Sequence, residues 1–170
     1  MEAPAKLKIL FVCLGNICRS PMAEFAMRRL IDEAGLAARV AVTSAGTSDE
    51  EEGNPVYPPA RRMLEAHGID CRDKRACQMT RAMLDEADYV VAMDRSNMHD
   101  LNRLAGSDGA DKRWLLLDFV YGRGSGHEIA DPWYTRNFDL AWAEIWEGCT
   151  ALLQHLQSNE RQCLERVSAH

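Results

Sequence analysis

Short apolar runs alternate with amphipathic stretches along this chain, and the alternation predicts its architecture. Lys8-Ile9-Leu10-Phe11-Val12-Cys13 is rich in β-branched and aromatic residues, ends at Gly15, and predicts a buried strand. Pro21 fits the first helical position, and Met22, Phe25, Ala26 and Leu30 follow at helical spacing, with Gly35 as a stop. Val40-Ala41-Val42-Thr43 predicts a second strand that runs into the loop Ser44-Ala45-Gly46-Thr47. After an acidic segment punctuated by Gly and Pro, from Ser48 to Pro59, a helix is predicted from Ala60 to His67, closed by Gly68. Asp88 to Met93 predicts a third strand, Asn97 to Leu104 a helical return, and Trp114 to Phe119 a fourth strand. The loop Gly122-Arg123-Gly124-Ser125-Gly126 follows, and then Asp131-Pro132. The last third predicts a long helix with Phe138, Trp142, Ile145, Trp146, Cys149, Leu152, Leu153 and Leu156 on its core face. Strands alternating with helices imply an α/β fold: a four-stranded parallel sheet flanked by helices on both faces. No repeat, low-complexity tract or linker interrupts it, so one domain is expected over residues 1–170.

Composition narrows the function classes. The chain has 170 residues, 46% hydrophobic and 27% charged, ordinary values for a globular domain. Its 20 Lys+Arg against 26 Asp+Glu leave a formal charge of −6, which argues against a nucleic-acid partner. The same charge is awkward for an enzyme acting on anions unless positive potential is concentrated locally. The apolar run Ile9 to Leu14 is too short to span a membrane, and Met1 to Lys6 does not resemble a signal peptide. A cytoplasmic protein with no membrane partner, a monomer or weak dimer, is expected. Six cysteines, at 13, 18, 71, 77, 149 and 163, are sparse for a disulfide scaffold. The five histidines show no metal-ligand spacing with them and there is no Cys-x-x-Cys, so neither a metal nor another cofactor is expected.

The candidate chemistry lies in Cys13-Leu14-Gly15-Asn16-Ile17-Cys18-Arg19-Ser20, between a strand and a helix. A turn there aims successive backbone N–H groups at one point with the helix dipole behind them, a prepared anion site. Arg19 adds a planar fork that can grip a phosphate through two hydrogen bonds. Cys13 opens the loop, so its sulfur can lie beneath the anion, and the field that binds phosphate would also stabilise a thiolate. No Gly-Lys-Ser/Thr follows the glycine and there is no G-x-G-x-x-G, so this is not a nucleotide loop of either kind. Asp94, at a strand end, reads as the cap of the next helix.

With its flanks, Val12 to Glu24 (VCLGNICRSPMAE) closely resembles the active-site signature of the low-molecular-weight protein tyrosine phosphatases. Thr43 to Thr47, Gly53-x-Pro55, His67-Gly68-Ile69, Met93-Asp94-x-Ser96-Asn97 and Asp131-Pro132-Trp133 occur in that family's order, so the resemblance covers most of the chain. It implies a flavodoxin-like three-layer sandwich and a metal-independent phosphatase acting on phosphotyrosine-containing proteins. By this resemblance Cys13 is the nucleophile that becomes a cysteinyl-phosphate. Arg19 and the amides of Leu14, Gly15, Asn16, Ile17, Cys18 and Ser20 hold the phosphoryl oxygens, and Asp131 is the general acid and then the base. Asn16, Ser20 and Ser44 brace the loop, Asp94 supports it, and Trp133 and Tyr134 wall the phenyl slot. Cys18 matches a second loop cysteine that pairs with the nucleophile under oxidation. Cys71, Cys77, Cys149 and Cys163 are expected bystanders.

The chain also departs from the family. Asp49-Glu50-Glu51-Glu52 stands where vertebrate-like members carry Trp-Asn, and is expected to rim the pocket. Tyr57 stands where Asp is usual, Lys74 where His is frequent, and Trp133 where Tyr or Phe is commoner. An arsenate reductase of the same fold, kept open by Cys71 and Cys77, is the alternative enzyme, with a phosphoarginine phosphatase behind it. Ile17 and Pro21 speak for the phosphatases, and a non-catalytic phosphate-binding module is disfavoured by the presence of Cys13, Arg19 and Asp131 together.

Overall fold

The computed structural model describes residues 6–159. Four strands, β1 (Leu7–Cys13), β2 (Val40–Gly46), β3 (Tyr89–Ala92) and β4 (Arg113–Leu115), form one sheet in the order β2-β1-β3-β4 with every pair parallel. Among the described residues seven α-helices flank it: α1 (Arg19–Glu33), α2 (Pro58–Ala66), α3 (Arg81–Glu86), α4 (Arg95–Ala105), α5 (Asp118–Tyr121), α6 (Pro132–Thr135) and α7 (Phe138–Asn159). Alternation along β1 divides the core in two. Ile9, Phe11 and Cys13 face α1, α2 and α7, where Met22, Leu64, Ile145 and Leu152 close the larger cluster. Leu10 and Val12 face Leu84 of α3 and Leu101 of α4. This is the three-layer α/β arrangement expected from the alternating pattern, flavodoxin-like in strand order.

The order also says where a site belongs. The chain leaves β1 for β2 on one side and returns to β3 on the other, so the two connections diverge at the carboxyl ends of β1 and β3. Open α/β sheets bind ligands in the crevice at such a reversal. Cys13 ends β1, and Asp94 follows β3 by two residues.

Several boundaries differ from the sequence expectation, each for a local reason. Helix α1 begins at Arg19, so Pro21 sits third rather than first. The first turn's N–H groups need no intrahelical partner, so proline fits there equally well. The fourth strand stops at Leu115 instead of Phe119, because the Asp118 carboxylate accepts the Leu115 N–H at 2.9 Å and the chain turns into α5. Helix α3 was not anticipated: its six residues are too few to show a period, and its only sequence mark is Thr80, whose hydroxyl caps the Met83 N–H. Helix α4 starts two residues early, at Arg95, through a capping box in which Asp94 and Asn97 exchange side-chain-to-backbone bonds. β2 runs on to Gly46, and α2 spans 58–66 rather than 60–67.

Helix α7 lies close against the segment that follows β4 at Gly148, where an added Cβ would come 2.5 Å from Cγ of Leu116. Leu116 is fully buried and has no room to retreat. Gly148→Ala should therefore destabilise the protein by about 1–3 kcal/mol in urea unfolding, despite alanine's better helix propensity. A stabilised variant would show that the helix can shift outward.

Candidate active site

The loop between β1 and α1 is shaped by Asn16, a buried residue with φ of +59°. Its amide carbonyl accepts the Cys77 N–H at 3.1 Å, which fixes the orientation of the amide group. The amide nitrogen then donates to Ser20 Oγ and to Ser44 Oγ, each at 2.9 Å. Ser44 donates onward to the carboxylate of Glu24 at 2.8 Å. Ser20 Oγ lies 2.9 Å from Cys13 Sγ, and the Asn16 backbone N–H donates to the same sulfur at 3.3 Å. When Cys13 is a thiolate only Ser20 can donate in that contact, so the chain of bonds ends in two donors aimed at the sulfur.

Glu24 is 2% exposed and anchors the far end of this chain of bonds. Lys74 Nζ at 3.3 Å and Arg28 at 3.2 Å neutralise it, and Lys74 also donates to the Ser44 carbonyl at 3.1 Å. None of Glu24, Lys74 or the Cys77 N–H was singled out as a site residue from sequence. Glu24 carried a usable signal, since it follows Ser20 by four positions and shares its helix face. The loop is closed from the β2 side by Thr47 and Ser48, whose N–H groups donate to the carbonyls of Cys13 and Leu14. That approach requires Gly46, where a Cβ would meet the Leu14 carbonyl oxygen at 2.7 Å.

Arg19 is 3% exposed and lies on the other side of the loop. Its Nη1 donates to Asp94 at 2.7 Å and to the Ile129 carbonyl at 2.8 Å; its Nη2 donates to Asp131 at 3.4 Å. Burial works against the charged guanidinium, but Cys13, Asp94 and Asp131 together outweigh it and hold its pKa above the ordinary arginine value. Asp131 also caps α6, its other oxygen accepting the Trp133 N–H at 3.0 Å. Cys18 sits at the start of α1, buried. Burial first, then the proximity of Cys13 and Asp131, push its thiol well up, so it stays protonated.

These groups face one pocket of about 200 Å³, lined by Cys13, Leu14, Gly15, Ile17, Cys18 and Arg19 on the loop side. Asp131, Trp133 and Tyr134 form the facing wall, with Ser48, Glu50 and Glu51 at the rim. Trp133 and Tyr134 are 42% and 78% exposed, as wall residues rather than core aromatics. Asn16, Ser20 and Ser44 lie behind the loop, and Asp94 holds Arg19 from beneath. Of the acidic quartet, Glu50 and Glu51 reach the pocket. Among the other cysteines, Cys71 and Cys149 are core residues, Cys77 supports the loop through its backbone, and Cys163 lies outside the described residues. Among the described residues no group of three or more His, Cys, Asp or Glu side chains could hold a metal ion, and no helix is long and apolar enough to cross a membrane.

Asp94 has two separable duties, capping α4 and neutralising Arg19. Asp94→Asn keeps a capping side chain, and Asp94→Ala loses both. Loss of a cap costs about 1 kcal/mol, whereas stranding one partner of a buried pair costs about 3–5 kcal/mol. Both variants should therefore lose more stability in urea unfolding than a cap alone is worth; a deficit confined to the alanine variant would assign Asp94 to capping only.

Comparison with known proteins identifies the family. The family model described as low molecular weight phosphotyrosine protein phosphatase matches residues 8–162. The low molecular weight protein-tyrosine-phosphatase YfkJ of Bacillus subtilis is 37% identical over 155 residues, 91% of this chain and 99% of that protein. The human low molecular weight phosphotyrosine protein phosphatase is 35% identical over 156 residues, covering 91% and 98% of the two chains. The crystal structure of YfkJ superposes with a TM-score of 0.87 over 92% of this chain and 98% of its own, at 36% identity. The chain belongs to the low molecular weight phosphotyrosine protein phosphatase family.

Proposed function

We propose that the chain works as one catalytic domain, a phosphotyrosine-protein phosphatase that hydrolyses aryl phosphate monoesters without a metal. The observation that carries this reading is the meeting of Cys13, Arg19 and Asp131 in a single pocket, the first two from the loop between β1 and α1 and the third from the start of α6. The Cys13 thiolate attacks phosphorus, the bond from phosphorus to the phenolic oxygen breaks, and Asp131 gives its proton to that oxygen. Water then attacks the cysteinyl-phosphate, Asp131 takes the water's proton, and the S–P bond breaks to release phosphate and restore the thiolate. Arg19 and the loop amides hold the three non-bridging oxygens, whose charge they meet in a site already organised for it. Trp133 and Tyr134 flank the aryl ring.

The relatives speak against arsenate reduction, and neither Cys71, a buried core residue, nor Cys77 is among the residues that line the pocket. A cytoplasmic setting and phosphotyrosine proteins as substrates belong to the same proposal. Redox sensitivity through Cys18 belongs to it as well. Cys13 and Cys18 line the same pocket, and a bond between them would spare the nucleophile from irreversible oxidation.

p-Nitrophenyl phosphate should be turned over in the presence of a chelator, and Cys13→Ser should abolish turnover; activity in that variant would refute the covalent mechanism. Asp131→Ala should slow phenyl phosphate hydrolysis by roughly 10²–10⁴-fold, and an unchanged rate would remove its role as acid. Arsenate and a phosphoarginine peptide, assayed beside these, separate the aryl ester from the competing substrates. After peroxide treatment, thiols should restore the wild-type protein but not Cys18→Ser. Equal recovery would exclude protection by Cys18.

A further inference from the structure

Among the described residues only two non-glycine residues have positive φ, Asn16 at +59° and Arg136 at +61°. Asn16 shapes the phosphate loop. Arg136 ends α6, the short helix that follows Asp131, and its guanidinium reaches back towards the pocket wall. There its Nη1 donates to the Tyr57 hydroxyl at 3.0 Å, and its charge lies 5.7 Å from the centre of the Trp133 ring. The Tyr57 and Trp133 rings pack with centroids 4.8 Å apart.

Tyr57 precedes Pro58 at the N-cap of α2, and its side chain makes no capping bond there; with prolines at the first two helical positions, two of the N–H groups a cap could serve are absent. Its own N–H donates to the Ile17 carbonyl at 2.9 Å, which ties it to the phosphate loop. One residue thus holds the loop through its backbone and the acid-bearing segment through its ring. That segment needs holding. Four residues of helix have little stability of their own, and the contact from Asp131 to Arg19, at 3.4 Å, is long for a hydrogen bond between charged groups.

The geometry points to Tyr57 and Arg136 as positioning residues that clamp Trp133 and, through it, set Asp131 against the leaving oxygen. This rests on the reading of Asp131 as the general acid. Trp133 is the link, because its N–H donates to the Asp131 carboxylate and its ring is the clamped body. The left-handed arginine is an unfavourable local choice, and it lies at this one contact. Such choices persist where the surroundings over-determine them, at functional sites above all.

The test compares two aryl phosphates that share a ring and differ in how much their leaving group needs a proton. p-Nitrophenolate leaves readily unprotonated; phenolate, like tyrosinate, depends on the acid. Tyr57→Ala and Arg136→Gly are assayed by kcat/KM on p-nitrophenyl phosphate and phenyl phosphate, with inorganic phosphate inhibition and Tm measured alongside. Small misplacements of a reacting group cost up to about a hundredfold, so both variants should lose about tenfold or more on phenyl phosphate and less than about threefold on p-nitrophenyl phosphate. Inhibition by phosphate should be unchanged, because the backbone bond from residue 57 to Ile17 survives. Arg136→Gly should melt no lower than the wild type, since glycine is the natural residue at that φ, yet it should still lose the acid-dependent activity. Equal losses on the two substrates, no loss in either variant, or weakened phosphate inhibition would overturn the proposal. Failure of the acid assignment itself reads differently: Asp131→Ala would then hydrolyse phenyl phosphate as fast as the wild type.

Discussion

A guanidinium that is almost wholly buried must be neutralised by what surrounds it, and the architecture of this site follows from how Arg19 is satisfied. Two segments distant in sequence supply the partners. Asp94 comes from the end of β3, and the Ile129 carbonyl and Asp131 come from the stretch that leads from α5 into α6. The sheet order makes this possible, because β1 and β3 are neighbours whose carboxyl ends open onto one crevice. Without Asp94 the buried guanidinium would be left to the longer contact with Asp131, at 3.4 Å, for its compensating charge. The same ties hold Arg19 with one side of its fork engaged below, which orients the other towards the pocket.

The formal charge of −6 then ceases to be a difficulty for anion chemistry. The field at Cys13 is set within a few ångströms, by Arg19, the Asn16 N–H and the Ser20 hydroxyl, at distances much shorter than the roughly 8–10 Å over which salt screens the rest of the surface. A buried carboxylate, Glu24, even takes part in that arrangement. It is neutralised by Lys74 and Arg28 on its outer side, and on its inner side it orders the hydroxyl and amide groups that lead to the sulfur. Net charge bears instead on what approaches from outside, where Glu50 and Glu51 stand at the rim.

The sheet, its helices and the loop from Cys13 to Ser20 were legible because their information is local: apolar runs of strand length, helical periods, and a contiguous motif. Asp131 and Asp94 were legible through the motifs they begin. What escaped is what local patterns do not carry. The Ile129 carbonyl and the Cys77 N–H act through backbone atoms common to every residue, so no residue type announces them. Lys74 reaches Glu24 across 50 positions, a pairing that only the fold creates. β4 was drawn too long because Trp114 to Leu117 reads as apolar throughout, and the turn rests on a single side-chain bond from Asp118.

Four departures from local preference lie beside the pocket. Asn16 and Arg136 adopt left-handed backbone without being glycine, Cys18 and Tyr57 begin helices without capping them, and each touches the phosphate loop or the wall facing it. Usual devices stand elsewhere, with Thr80 capping α3 and glycines 35 and 68 taking positive φ just beyond α1 and α2, and also at the site's edge, where Asp94 caps α4 and Asp131 caps α6. The departures at the loop have a physical basis. A loop that converges several N–H groups on one point cannot also be a relaxed turn, and a helix whose first amides must face a ligand leaves no place for a side-chain cap to occupy them. Cys18 illustrates the exchange: a capping Ser or Asp side chain there would compete with the phosphate for the same donors. The local cost is carried by the central strand and the two cores behind it, which are packed tightly enough to hold the loop in a conformation it would not keep alone.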